Sequence, residues 1–154
     1  MNVELIRASM EDAKTIWQMQ RSAFAELLER YQDFDTNPGS EPLEKVQWRF
    51  TFPATYFYFI RVDGVNAGAI RIIDHHDDSP KKISPLFVQP EFRGKGVAQA
   101  AILAAEGIHG SDNWQLGTIL QEKGNCHLYE KMGYHQTGET KVINDRMTLV
   151  FYEK

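Results

Sequence analysis

The chain has 154 residues, 42% hydrophobic and 25% charged, the proportions of a globular protein with enough chain to bury a core as a single domain over residues 1–154. A net charge of −4 argues against a general nucleic-acid binder, which would carry a basic patch, and no apolar run approaches the ~20 residues that span a bilayer. A single cysteine, Cys126, excludes an internal disulfide framework, and the opening Met1-Asn2-Val3-Glu4 lacks the regions of a signal peptide, so a reducing cytoplasm is expected.

Residues Val3 to Ala8 read as a strand. Ser9 with Asp12 three residues later is a capping box. It opens a helix whose stripe, Ala13, Ile16, Trp17, Gln20, Phe24, Leu27, Leu28 and Tyr31, carries it to about Arg30 or Tyr31. Tyr31 to Pro42 is irregular, with turn chemistry at Asn37-Pro38-Gly39. Its mixture of Asp33 and Asp35 with Tyr31 and Phe34 suits an amine site or a plain polar loop. Glu41 to Phe50 predicts a second helix with Pro42 in its first turn.

Thr55 to Val62, dense in aromatic and β-branched residues, is the clearest strand. Asp63-Gly64 is a two-residue hairpin turn, and Val65 to Ile73 returns. After the polar connection Asp74 to Pro80, Lys82 to Val88 completes an antiparallel meander. Pro85 cannot donate a ladder hydrogen bond, so it marks an edge, a bulge or a splayed strand.

The last of these strands runs into a glycine-rich turn and an alanine-rich helix, with Val97, Ala101, Ala104 and Ile108 at helical spacing. The first N–H groups of such a helix have no internal partners and its dipole is positive there, so the turn is a place for a phosphate or pyrophosphate. Gly94 and Gly96 let the main chain approach an anion, and Arg93 and Lys95 add charge. The spacing excludes a P-loop, and a dinucleotide fingerprint would need a third glycine where Gln99 stands. Further on, Gly110-Ser111-Asp112 is a stop and Trp114 to Leu120 a strand. Gln121 to Asn125 reads as a loop and Cys126 to Met132 as a short helix capped by Gly133. Tyr134 to Glu139 and Arg146 to Tyr152 form a hairpin around Asn144-Asp145. The order predicts a mixed α/β fold.

The pattern V-x-P-x-x-R-G-x-G-x-A from Val88 to Ala98 closely resembles the acyl-CoA-binding motif of the GNAT acetyltransferase superfamily, Q/R-x-x-G-x-G/A, which Arg93, Gly96 and Ala98 match in position. The segment Asn125-Cys126-His127-Leu128-Tyr129-Glu130-Lys131-Met132-Gly133-Tyr134 is similar to the family's N…LYEKxGF segment. The resemblance covers the whole chain. It implies a GNAT fold: a mostly antiparallel six- to seven-stranded sheet with a splayed centre, flanked by about four helices, with a bulge in the strand that holds Pro85.

The resemblance also implies direct transfer of the acetyl group of acetyl-CoA to a primary amine, without a metal. The acceptor is a small molecule or a protein amino group; no nucleic acid or membrane is involved, and a homodimer is compatible with the family. Tyr129 is then the general acid, a phenol protonated at neutral pH. Leu86, Phe87, Val88, Arg93, Gly94, Lys95, Gly96, Val97, Ala98 and Asn125 are the expected cofactor contacts. A base for the amine is open among Asp74, His75, Glu26, Asp33 and water. The rival is an acyl-CoA sensor without turnover, which would not need the tyrosine. His75-His76 lacks a third ligand at metal spacing, and Cys126 and His127, adjacent on a helix, do not face each other. Trp17, Trp48 and Trp114 read as core or pocket walls.

Overall fold

The computed structural model describes all 154 residues. In chain order the elements are β1 (Val3–Arg7), α1 (Ala13–Tyr31), α2 (Leu43–Thr51), β2 (Thr55–Val62), β3 (Val65–Ile73), β4 (Lys81–Val88), α3 (Val97–His109), β5 (Trp114–Ile119), α4 (Lys123–Lys131), β6 (His135–Val142) and β7 (Thr148–Glu153). The seven strands form one sheet in the order β1-β2-β3-β4-β5-β7-β6. Every neighbouring pair is antiparallel except β4 and β5.

Local chemistry accounts for most boundaries. The Ser9 N–H donates to the Asp12 carboxylate at 2.9 Å, closing the reciprocal cap ahead of α1. Asp63 and Gly64, at φ 48° and 84°, make the tight hairpin between β2 and β3. Pro42 is the cap of α2 rather than a residue of its first turn, because its backbone is extended at ψ 161°. Gly133, at φ 95°, ends α4 as expected, with the Tyr134 N–H donating back to the Tyr129 carbonyl at 2.9 Å.

The sheet is buried between two apolar layers. Ile60, Ile70, Ile72 and Trp114 pack with Val97, Ala101, Ile102 and Ala105 of α3. On the other side Phe57, Phe59, Ala69 and Phe87 pack with Ile16 and Ala23 of α1 and Val46 of α2. The buried face of α3 is rotated from the expected stripe: Ala104 is half-buried and Ile108 is 56% exposed. His109 turns inward instead. Its Nδ1 lies 2.7 Å from the Asp74 carboxylate and its Nε2 2.8 Å from the Tyr58 hydroxyl.

The sheet forks at its centre. β4 and β5 pair only at Lys81 with Trp114 and Lys82 with Gln115, and diverge beyond. On its other edge β4 carries an extra residue. Ile72 faces Ile83 and Ile70 faces Leu86, so Ser84 and Pro85 together stand opposite Arg71 alone. Pro85 therefore lies in a bulge, one of the alternatives its missing N–H left open. After the bulge Leu86 and Val88 face the α3 layer and Phe87 the α1 layer.

Candidate active site

The fork opens into a cleft of about 540 Å³. One wall is β4 from Leu86 to Val88, continuing through Phe92, Arg93, Gly94 and Gly96 into the first turn of α3. The opposite wall is Glu122, Gly124, Asn125, Leu128 and Tyr129 of α4 and its cap, and α1 contributes Phe24, Glu26, Leu27 and Arg30. Of the residues singled out in the sequence, Leu86, Phe87, Val88, Arg93, Gly94, Gly96, Val97, Ala98, Asn125 and Tyr129 thus come together here. Lys95 does not line the cleft; its ammonium lies 5.9 Å from the Phe92 ring.

The ladder decides which main-chain groups face the opening. The Gln89 N–H donates to the Ala67 carbonyl at 2.7 Å, which makes the next inward pair Phe87 with Ala69. By the alternation of an antiparallel pair, Phe87 directs its N–H toward β3, while Leu86 and Val88 direct theirs into the fork. The amides available to the cleft are those two; Phe87 contributes its side chain. The Val88 carbonyl already accepts from Arg93 Nε at 3.0 Å.

That contact shows how the Arg93 charge is used. Its guanidinium also donates to the Ala23 carbonyl of α1 at 2.5 Å and lies 3.7 Å from Glu26. Arg93 ties the turn to α1 and β4 with its side chain, leaving the main chain of the turn to any anion. Gly94 and Gly96 have φ of 74° and 79°, and open space lies where a Cβ would stand. Gly96 caps α3 with no side chain competing for its leading N–H groups. This bare, positively ended cradle of main-chain donors fits a pyrophosphate.

Tyr129 sits deeper, 9% exposed, its ring 5.9 Å from Tyr134 and 6.1 Å from Tyr152. Burial, and then the nearby Cys126, push its phenol up to about 12. It holds its proton throughout the neutral range. Asn125 belongs to the first turn of α4, which begins at Lys123 rather than Cys126. Glu122, which caps that helix, is a cleft residue that sequence reasoning missed. It accepts from Arg30 at 2.7 Å and from the Tyr31 hydroxyl, and Asn144 donates to the Tyr31 carbonyl at 2.9 Å. The last turn of α1 is thereby clasped to the far side of the fork.

Of the side chains considered as bases, only Glu26 lines the cleft, and Arg30 and Arg93 lie beside it. Asp33 is buried within its own loop, accepting from the Thr36 N–H at 3.0 Å and from the Thr36 hydroxyl. Asp74 is engaged by His109, and His75 is exposed. No group of three or more His, Cys, Asp or Glu side chains is placed to hold a metal ion, and no helix is long and apolar enough to cross a membrane.

A forked mixed sheet with a glycine turn opening a helix at the fork is the architecture of the acetyltransferases. The family model for the acetyltransferase (GNAT) domain matches residues 28–154, and the chain belongs to that family. Human N-acetylaspartate synthetase is 28% identical over 106 residues, covering 66% of this chain and 35% of that protein. The rat protein of the same name is 27% identical over the same length. The chain spans about a third of the length of these curated relatives.

Among solved structures, spermidine N-acetyltransferase from Vibrio cholerae, in complex with CoA and spermine, superposes with a TM-score of 0.75 at 16% identity, covering 97% of this chain and 93% of that one. The PaiA N-acetyltransferase from Thermoplasma acidophilum, in complex with coenzyme A, gives 0.67 at 17% identity over the whole of both chains. At these identities the likeness is one of fold.

Proposed function

We propose that residues 1–154 act as one GNAT domain that transfers the acetyl group of acetyl-CoA to a primary amine by direct attack. The observation that carries this reading is the convergence of a helix N-terminus without a side-chain cap, two strand amides that the fork leaves facing the opening and a protonated tyrosine on one cleft. Acetyl-CoA supplies the activated acetyl thioester. The main chain from Gly94 to Ala98 holds its pyrophosphate, with the dipole of α3 behind it. The Leu86 and Val88 N–H groups hold the pantetheine arm and polarise the thioester carbonyl. Asn125 flanks the same arm.

Tyr129 keeps a proton on its hydroxyl for the departing sulfur. A phenol near 12 is a weak acid for a thiol whose ordinary value is about 8.5. The burial that raises the phenol raises a thiol in the same cleft, however, which narrows the gap. N-acetylaspartate synthetase and spermidine N-acetyltransferase are named for amines that carry further charge, which supports an acceptor of that kind, free or on a protein. We place the protein in the cytoplasm, without a nucleic-acid partner.

Tyr129→Phe tests the assignment. The expected result is a fall of about 10²-fold or more in the rate of amine-dependent CoA release, with acetyl-CoA affinity by calorimetry nearly unchanged. Full turnover by this variant would remove Tyr129 from the chemistry. Acetyl-CoA binding without turnover on a broad amine panel would favour the sensor reading instead.

A further inference from the structure

Arg71 is a buried cation without a counter-ion. It stands in β3 opposite the bulge, the residue that Ser84 and Pro85 face together, and it is 5% exposed. No carboxylate lies within ion-pair distance of it. The nearby acid, Glu41, is matched at 2.5 Å by Arg49. Burial, and then repulsion from Arg49, lower the Arg71 guanidinium to about 10, still charged at neutral pH. Its Nε has no hydrogen-bond partner.

An apolar side chain of similar length would fill this space without the cost of burying an unpaired charge. The guanidinium can do one thing that such a side chain cannot. One arm donates to the Ser84 carbonyl at 3.1 Å, inside the bulge, and the other to Thr55 Oγ1 of β2 at 3.2 Å. The planar fork thus ties the extra residue of β4 across β3 to β2.

The stakes are set by strand alternation. Without the extra residue, the segment after it inverts: Phe87 would direct its N–H into the cleft, and Leu86 and Val88 would direct theirs to β3. We propose that Arg71 is a positioning residue that pins the β4 bulge and so fixes the Leu86 and Val88 amides as the pair facing the cleft. Its effect on catalysis rests on the acetyltransferase reading above, whereas its effect on the amides does not.

The test compares Arg71→Met and Thr55→Val with the unaltered protein in three measurements. These are the ¹H–¹⁵N resonances of Leu86, Phe87 and Val88 in the unliganded chain, the thermal midpoint, and acetyl-CoA affinity with amine-dependent turnover. Arg71→Met should move all three resonances while the midpoint holds or rises, since a buried unpaired charge has been removed. It should lower kcat/KM on the order of 10²-fold, most of it in kcat, as misplaced donors do. Thr55→Val should move the same resonances by less.

Unmoved resonances with unchanged kcat would overturn the proposal. A loss confined to KM for carboxylate-bearing acceptors would overturn it in favour of an anion subsite. A midpoint falling in step with activity would reduce Arg71 to an ordinary packing residue. If the unaltered protein binds no acetyl-CoA, the acetyltransferase reading has failed, and the amide resonances still decide the part played by Arg71.

Discussion

The two arms of the forked sheet are built to different standards. In the N-terminal arm every residue from Phe57 to Ile60 and from Ala67 to Ile72 is buried, because α1 and α2 cover one face and α3 the other. In the C-terminal arm β7 buries only Val150 and Tyr152, and β6 is exposed at every position. The outward face of β5 and β7, with Gln115, Gly117, Leu149 and Phe151, lines a second cleft of about 660 Å³ beside Ser84. The ladder joins the strands of the two arms through only two residue pairs. An arm packed on both faces keeps its strand positions to within what close packing allows. It is the arm that carries the bulge, the two amides and the glycine turn. The one-sided arm brings α4, and with it Tyr129.

The sharpest way to break that contrast is to overfill the rigid arm. A Cβ on Gly68 would stand 2.1 Å from the Phe87 carbonyl oxygen and 3.0 Å from the Val88 Cα, both main-chain atoms that cannot swing aside. Gly68→Ala should cost about 3 kcal/mol in urea denaturation. It should also weaken acetyl-CoA binding, since the strand it displaces lines the cleft. Tolerance of this change would mean that the N-terminal arm is softer than its burial implies.

Asp74 gives the next largest effect. It accepts from His109 Nδ1, since a carboxylate can only accept, and the other ring nitrogen, Nε2, lies 2.8 Å from the Tyr58 hydroxyl. Asp74 also accepts from the His76 N–H at 2.9 Å. Burial alone would raise its carboxyl, but these bonds outweigh it and hold the group below its usual range. Asp74→Ala should cost about 2 kcal/mol at pH 7. For a carboxyl lowered by folding, the stabilisation is complete above the unfolded value and is lost as pH falls through the folded one. The difference in thermal midpoint between the two proteins should therefore close below about pH 4. A difference that persists in acid would assign the loss to packing rather than to the ionised group.

The same contrast explains what could be read from the sequence. β2 is dense in aromatic and β-branched residues and leads through a tight turn into the largely apolar β3, and the glycine turn announces itself by residues that only close main-chain approach requires. Both are local signals. The position of the bulge is not, because it is defined by which residues of β3 face Ser84 and Pro85, and no local pattern singles out Arg71. The face of α3 was hidden for a related reason. His109 is drawn inward by a carboxylate some 35 residues earlier in the chain, leaving Ile108 outside. In the polar outer arm the pattern fades: the last hairpin reads as Tyr134 to Glu139 and Arg146 to Tyr152, whereas the strands run His135–Val142 and Thr148–Glu153. The cleft motifs were visible, but the inward use of the Arg93 side chain and the part of Glu122 depend on α1, far away in sequence.

The outer arm should answer mutation weakly. Gly138 lies in the irregular stretch of β6 at φ 91°, with no atom near the place of a Cβ. Gly138→Ala meets only the backbone preference, about 1 kcal/mol. The smallest effect is expected at Val142, 72% exposed at the end of β6 opposite Thr148. Val142→Thr keeps the branched shape that suits a strand and replaces a methyl that already faces water with a hydroxyl, so the unfolding free energy from urea denaturation should change by less than about 0.5 kcal/mol. A loss above about 1 kcal/mol, growing with protein concentration, would mean that β6 is covered in solution by a second copy of the chain. The outer arm would then be packed on both sides only when assembled, and Tyr129 would owe its position to that contact as well as to α4.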